Sequence, residues 1–165
     1  MRTRMVAVVG TGKHTPGPVL ELSEKLGAAL AKARLGIVSG GLGGVMEAVS
    51  RGAFHAREQP GQPPIIGILP GYDADEGNNF LDVVIPSGMG HARNALVAAA
   101  GDVVICVGGA TGALSEVALA RKIGRPVLAF PESGGTAMLV CKGLPSVTQV
   151  RTPEEAVTVA KGLLE

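Results

Sequence analysis

The chain contains no tryptophan, one tyrosine and three phenylalanines in 165 residues. A stacking platform for single-stranded nucleic acid needs aromatic rings, so this composition argues against one. Concentrated charge is missing too: 15 basic and 14 acidic side chains leave a formal net charge of +1, without a basic run or face. Nucleic acid is therefore not an expected partner. Cysteine is scarce. Cys106 and Cys141 show neither CxxC nor Cys/His metal spacing, and His55 and His91 have no partner at ligand spacing, so no metal site is expected. Cys106 falls inside an apolar strand and reads as a small buried thiol. With no disulfide framework, a reducing compartment is the natural home. Long apolar runs are absent as well. Only five apolar residues separate Arg4 from Gly10, too few for a signal-peptide core. Asp102 interrupts the best stretch well short of the roughly 18 residues of a membrane span. A soluble, cytoplasmic protein is expected.

What the chain does have is small aliphatic residues and glycine: 46% hydrophobic overall, mostly Ala, Val, Leu and Ile, with 25 glycines. A chain of this length fits one domain that buries roughly 70% of its unfolded surface. Small branched residues suit helices packed closely on a parallel sheet. Strand and helix signals alternate throughout. Strands are predicted at 5–9, 36–38, 64–69, 82–85, 102–107, 126–130 and 146–150. Helices are predicted at 16–33, with Pro16 or Pro18 at its start, and at 42–56, 90–100, 110–123 and 156–164. The last is introduced by Thr152 as cap, Pro153 at the first helical position and Glu155 at the third. Arg57–Pro63 reads as an exposed polar loop. Whether Thr136–Lys142 forms a helix over the site is left open by the sequence.

Alternation of this kind means βαβ units. The expected fold is a single α/β domain over residues 1–165. It is a Rossmann-like doubly wound sheet, mostly parallel, of about seven strands with helices on both faces. A ligand then lies beyond the carboxyl ends of the strands, at the topological switch point.

That edge is where the glycines fall. Three strand-to-helix turns read Gly10-Thr11-Gly12-Lys13-His14-Thr15, Ser39-Gly40-Gly41-Leu42-Gly43-Gly44-Val45-Met46 and Gly108-Gly109-Ala110-Thr111-Gly112. Glycine lets backbone N–H groups approach a ligand, and a helix N-terminus adds the positive end of its dipole. An anionic small molecule, most often a phosphate, is the expected ligand. No turn gives the G-x-x-x-x-G-K-[ST] of a triphosphate hydrolase. None gives the dinucleotide pattern with its acid after the second strand, so hydride transfer is not expected.

Arg93 and Glu116 are the charged residues at the centre of this reading. Arg93 falls in the first turns of its helix, among Gly88, Met89, Gly90 and Asn94, where its guanidinium can grip phosphate or carboxylate in bidentate fashion. Glu116 follows Gly112 by four residues, in a helix otherwise composed of Ala, Leu and Val. A carboxylate near a helix N-terminus is favoured in its ionised form, and Glu116 can contact a hydroxyl, an amine or a developing cation. Ser115 and Thr111 add hydroxyls. Lys13 and His14, in the first turn, are within reach of a phosphate but read first as solvated loop residues; Asp73, Asp75, Glu76, Asn78 and Asn79 read first as a turn.

Gly40–Met46, Ser87–Asn94 and Gly108–Glu116 resemble the Lonely-Guy-like Rossmann superfamily, whose members were long labelled lysine decarboxylases. The resemblance covers about Met5–Phe130, with three motifs in the expected order. One branch consists of phosphoribohydrolases that cleave the N-glycosidic bond of nucleoside 5′-monophosphates, with the signature M-x-x-R-K then P-G-G-x-G-T-x-x-E. This chain keeps Arg93 and Glu116 but has Asn94 for the lysine, Gly108 for the proline, Ala110 for a glycine and Ala113 for the threonine. The molybdenum-cofactor carrier branch looks closer, with G-M-G-x-A-R-N and G-G-x-x-G-x-L-S-E.

The resemblance implies a carrier of the molybdenum cofactor or of a nucleoside monophosphate. The ligand would be held at Gly10, Thr11, Gly12, Gly40, Gly41, Gly43, Gly44, Met89, Arg93, Asn94, Gly108, Gly109, Thr111, Gly112, Ser115 and Glu116. In the hydrolase alternative Arg93 and Glu116 become catalytic. Neither branch uses pyridoxal phosphate, no cofactor is required for folding, and both branches form homo-oligomers.

Overall fold

The five inner strands are buried on both faces, which is why they read as continuous apolar runs rather than alternating ones, whereas the two edge strands are largely exposed. The computed structural model describes residues 2–58 and 61–165, so Gln59 and Pro60 of the expected polar loop lie outside the described residues. The strands are β1 (Met5–Gly10), β2 (Gly36–Ser39), β3 (Ile65–Leu69), β4 (Val83–Pro86), β5 (Val103–Val107), β6 (Val127–Phe130) and β7 (Val147–Gln149). They form one parallel sheet in the order β4-β3-β2-β1-β5-β6-β7. The chain winds outward from β1 to β4 and then returns to lay β5 beside β1, with Val8 level with Ile105. The switch point therefore lies between β1 and β5.

Six helices cover the two faces: α1 (Gly17–Lys32), α2 (Val45–His55), α3 (Arg93–Ala100), α4 (Thr111–Lys122), α5 (Gly135–Gly143) and α6 (Pro153–Leu164). Strand side chains alternate between faces. Val6, Val8, Val103, Ile105 and Val107 join Leu26 and Leu30 of α1, Val49 of α2 and Ala156 of α6 in one core layer. Ala7, Val9, Val104, Cys106 and Ala129 join Val97 of α3, Val117 of α4 and Val140 of α5 in the other. The second layer is built from smaller side chains, which brings α3 and α4 close to the sheet and to each other. This is the expected single α/β domain of seven strands. Burying Leu26 and Leu30 completely is worth roughly 2–3 kcal/mol each.

Element ends depart from the sequence reading for local reasons. The second helix begins at Val45 instead of Leu42, because Gly44 adopts φ +67° against the carbonyls of Thr11 and Gly12. Residues 90–92 form a 3₁₀ turn before α3 begins at Arg93. Asp102 lies just ahead of β5, where its carboxylate accepts the Met5 amide at 3.0 Å and pairs with Arg2. Asp82 does the same before β4, accepting the Ile65 amide at 2.7 Å and the Arg57 guanidinium at 2.6 Å. The segment left open by sequence is α5. It packs behind the third glycine turn, with the Thr136 and Ala137 amides donating to Gly109 and Gly108 carbonyls at 2.9 Å each. Thr152 caps α6 as expected, its hydroxyl accepting the Glu155 amide at 3.1 Å.

Candidate functional site

Thr11 draws the three glycine turns together. Its hydroxyl accepts the Gly109 amide at 2.8 Å, and its carbonyl accepts the Val45 amide at 2.8 Å. A cavity of about 190 Å³ opens at the switch point, above the carboxyl end of β1. Gly10 and Gly12 form one wall and Gly40 with Met46 another; Arg93 and Asn94 come from α3, and Ala110, Gly112, Ala113 and Glu116 from α4.

Arg93 is held from several sides. Its Nη1 donates to Asn94 Oδ1 at 2.5 Å and stands 3.7 Å from Glu116 Oε1. Asn94 Nδ2 donates to Ser115 Oγ at 2.9 Å, and Ser115 Oγ donates to the Gly112 carbonyl at 2.7 Å. This chain fixes the Asn94 amide so that its oxygen faces the arginine. Gly40 leaves the room the guanidinium needs: a Cβ there would come within 2.7 Å of Arg93 Nη2 and of Met46 Sδ. Among the described residues, Nε of Arg93 is buried without a hydrogen-bond partner. A buried guanidinium with a spare donor has unused capacity for an anion.

Glu116 shows a departure from expectation. It lies in the second turn of α4, 6% exposed, and burial pushes its carboxyl up to about 7, only partly offset by the Arg93 charge. Desolvation thus outweighs the helix dipole that the sequence reading invoked. Burial also lowers Arg93 from its usual value, and Glu116 opposes that shift. The first intrahelical bond of α4 runs from the Leu114 amide to the Ala110 carbonyl at 3.0 Å. The amides of Thr111, Gly112 and Ala113 thus precede the ladder and face the end of the helix.

The other candidates distribute unevenly. Gly108 and Gly109 lie behind the cavity, and their amides are taken by Ser133 Oγ (2.7 Å) and Thr11 Oγ1 (2.8 Å). Gly41 donates to Ser39 Oγ at 3.1 Å and packs against Leu69 and Gly67. Gly43 and Gly44 line a neighbouring groove with Lys13 and His14. Met89 is 47% exposed and Thr111 is exposed; neither lines the cavity. Asn78 ties its loop to the second turn, donating to the Leu42 carbonyl at 3.1 Å. Sequence reasoning did not place Met46 or His91 at the cavity. Met46 follows directly on the glycine turn, which is the one local signal that could have marked it. Among the described residues, no three His, Cys, Asp or Glu side chains converge as a metal-binding group, and no helix is long and apolar enough to cross a membrane.

A doubly wound sheet with an arginine-lined cavity at its switch point defines a Rossmann-like domain with a small-molecule site. Residues 3–157 match the model of the SLOG cluster4 family, and the chain belongs to that family. It is 31% identical to the molybdenum cofactor binding protein of the phototrophic bacterium Rippkaea orientalis. That alignment covers 100% of this chain and 99% of the other, with a TM-score of 0.87. The molybdenum cofactor carrier protein of Chlamydomonas reinhardtii is 28% identical over 99% of each chain, with a TM-score of 0.81. An uncharacterised protein of Archaeoglobus fulgidus is 34% identical over 157 residues, 95% of this chain and 94% of its own.

Proposed function

We propose that this protein binds and carries a phosphorylated small molecule at the carboxyl edge of its sheet, with the molybdenum cofactor as the named candidate. The observation that carries this reading is the convergence of the Arg93 guanidinium and the free first-turn amides of α4 on one cavity. Full-length similarity to molybdenum-cofactor proteins supports the choice of cargo. Arg93 supplies charge, the amides of Gly112 and Ala113 donate to phosphate oxygens, and Asn94 and Glu116 read polar groups. A Glu116 carboxyl raised to about 7 is largely neutral in mildly acidic solution, so it does not repel the incoming anion there. The carrier is a cytoplasmic homo-oligomer in this proposal. Exposed Leu96, Leu119, Ile123 and Leu139 on α3, α4 and α5 support self-association through that face.

One observation favours a second reading, hydrolysis of nucleoside 5′-monophosphates. A buried carboxyl near neutrality, 3.7 Å from an arginine, is poised for acid–base or electrostatic work. Glu116 then steadies an oxocarbenium-like transition state or positions water while Arg93 orients the phosphoribosyl group. The deciding experiment identifies what co-purifies with the protein and follows adenine release from adenosine 5′-monophosphate. A retained phosphorylated pterin without adenine release is the expected result. Adenine release abolished by Glu116→Ala would overturn carriage in favour of hydrolysis.

A further inference from the structure

The Arg93 cavity holds about 190 Å³, below the roughly 300–1,000 Å³ of sites that enclose a whole small-molecule ligand. It accommodates a phosphate group but is smaller than sites that enclose a whole nucleotide-sized ligand. Beside it runs a groove of about 550 Å³, walled by Leu20, Leu42 and Thr15 and edged by Lys13 and His14. Gly12 and Met46 line both spaces. The Met46 thioether lies between them. Its Sδ is 2.7 Å from where a Gly40 Cβ would stand, and its Cε 3.7 Å from the same point on Gly12.

Resting on the function proposed above, we infer that cavity and groove are two compartments of one site divided by Met46, and that the occupant is an elongated phosphomonoester bearing a heterocycle. The phosphate enters the inner compartment, where Arg93 and the α4 amides supply donors. The esterified ring lies across Met46 into the groove, between aliphatic walls. A methionine suits this place: three rotatable bonds let it swing aside, and its polarizable sulfur packs well on an aromatic ring. Among the cations of the groove, Arg51 is already paired with Glu24 at 3.1 Å and lies over Phe80. Among the described residues, Lys13, on an exposed loop, is the remaining lysine or arginine of the groove to read the polar edge of the ring. Met46 is thus a specificity-determining residue, setting how far a ligand can extend from its phosphate.

Two probes separate the compartments in a calorimetric titration: inorganic phosphate, which fits the inner one, and adenosine 5′-monophosphate, which spans both. Wild-type protein is expected to bind the nucleotide at least tenfold more tightly than phosphate. Lys13→Ala, on the exposed loop and outside the inner compartment, is expected to weaken the nucleotide at least fivefold while leaving phosphate within twofold; Met46→Trp, which fills the passage, is expected to weaken the nucleotide at least fivefold. A nucleotide-to-phosphate ratio unchanged in both variants overturns the two-compartment arrangement. Wild-type protein that binds phosphate as tightly as the nucleotide also overturns it, and leaves the proposed function standing. Wild-type protein that binds neither probe overturns this arrangement, while the proposed function is decided separately by what co-purifies with the protein. Should Met46→Trp fail to fold, Lys13→Ala alone decides.

Discussion

Nη1 of Arg93 stands 3.7 Å from Oε1 of Glu116, within ion-pair reach and outside hydrogen-bond reach. The two side chains come from neighbouring helices and share one small cavity, so each sets the charge state that the other meets. Desolvation exceeds their mutual attraction, which is why the glutamate titrates near neutrality.

The titration of Glu116 has a defined consequence for stability. Its folded-state value of about 7 lies above the ordinary carboxyl value of 4.5. Between those values the folded state binds more protons than the unfolded chain, so stability falls as pH rises through that window. The shift corresponds to about 3 kcal/mol. Glu116→Gln removes the titration. The variant is expected to match wild type in its pH dependence below pH 4 and to gain on it progressively up to pH 8, measured by urea unfolding. Parallel profiles for the two proteins across pH 4–8 would contradict the placement.

Arg93→Ala removes the only arginine or lysine that lines the cavity, among the described residues. Binding of the phosphorylated ligand is expected to weaken at least tenfold, with the fold retained by circular dichroism. Asn94→Ala frees Nη1 and should weaken binding by a smaller factor, about three- to tenfold. Unchanged affinity in Arg93→Ala would move the ligand elsewhere.

Gly40→Ala forces the Arg93 guanidinium and the Met46 thioether away from their present positions. Both are the ends of flexible side chains, so the fold should survive with a loss of about 1–2 kcal/mol. Ligand affinity should fall at least tenfold. A variant that binds as wild type does would show that Arg93 is not held where the ligand needs it.

Asp82 links β3, β4 and Arg57, and its carboxyl is held below the usual range first by the Arg57 hydrogen bond, then by the Ile65 amide. This contribution is present above the unfolded-state value and is lost as pH falls through the lower folded-state value. Asp82→Ala leaves the Ile65 amide without its acceptor and the Arg57 guanidinium with the Pro63 carbonyl alone. A destabilisation of about 1–2 kcal/mol is expected at pH 7, discounted for partial exposure of the pair and shrinking toward pH 3. Equal destabilisation at pH 7 and pH 3 would exclude the linkage.

The alternation of apolar strands with amphipathic helices was legible residue by residue. A strand buried on both faces has no polar position to disguise it, and Thr152 with Pro153 marks a helix start by local chemistry alone. Helix starts after glycine were read early, at Leu42 and at Gly90, because positive-φ backbone and 3₁₀ turns leave no periodicity to detect. Arg93 and Glu116 stood out as charges beside glycine turns. Met46 carried no such mark, since which face of α2 it occupies depends on how that helix crosses the sheet.

The sequence by itself determined the layers, the glycine-rich carboxyl edge of the sheet and the two charged residues there, because these follow from period, turn chemistry and spacing. Tertiary structure alone decided which glycine amides remain free. Gly108, Gly109 and Gly41 spend theirs on Ser133, Thr11 and Ser39, whereas the α4 start keeps its own. It also decided the charge of Glu116. Spacing along a chain reports the distance to a helix end, but only the packing of α3 against α4 sets how much water reaches a carboxyl.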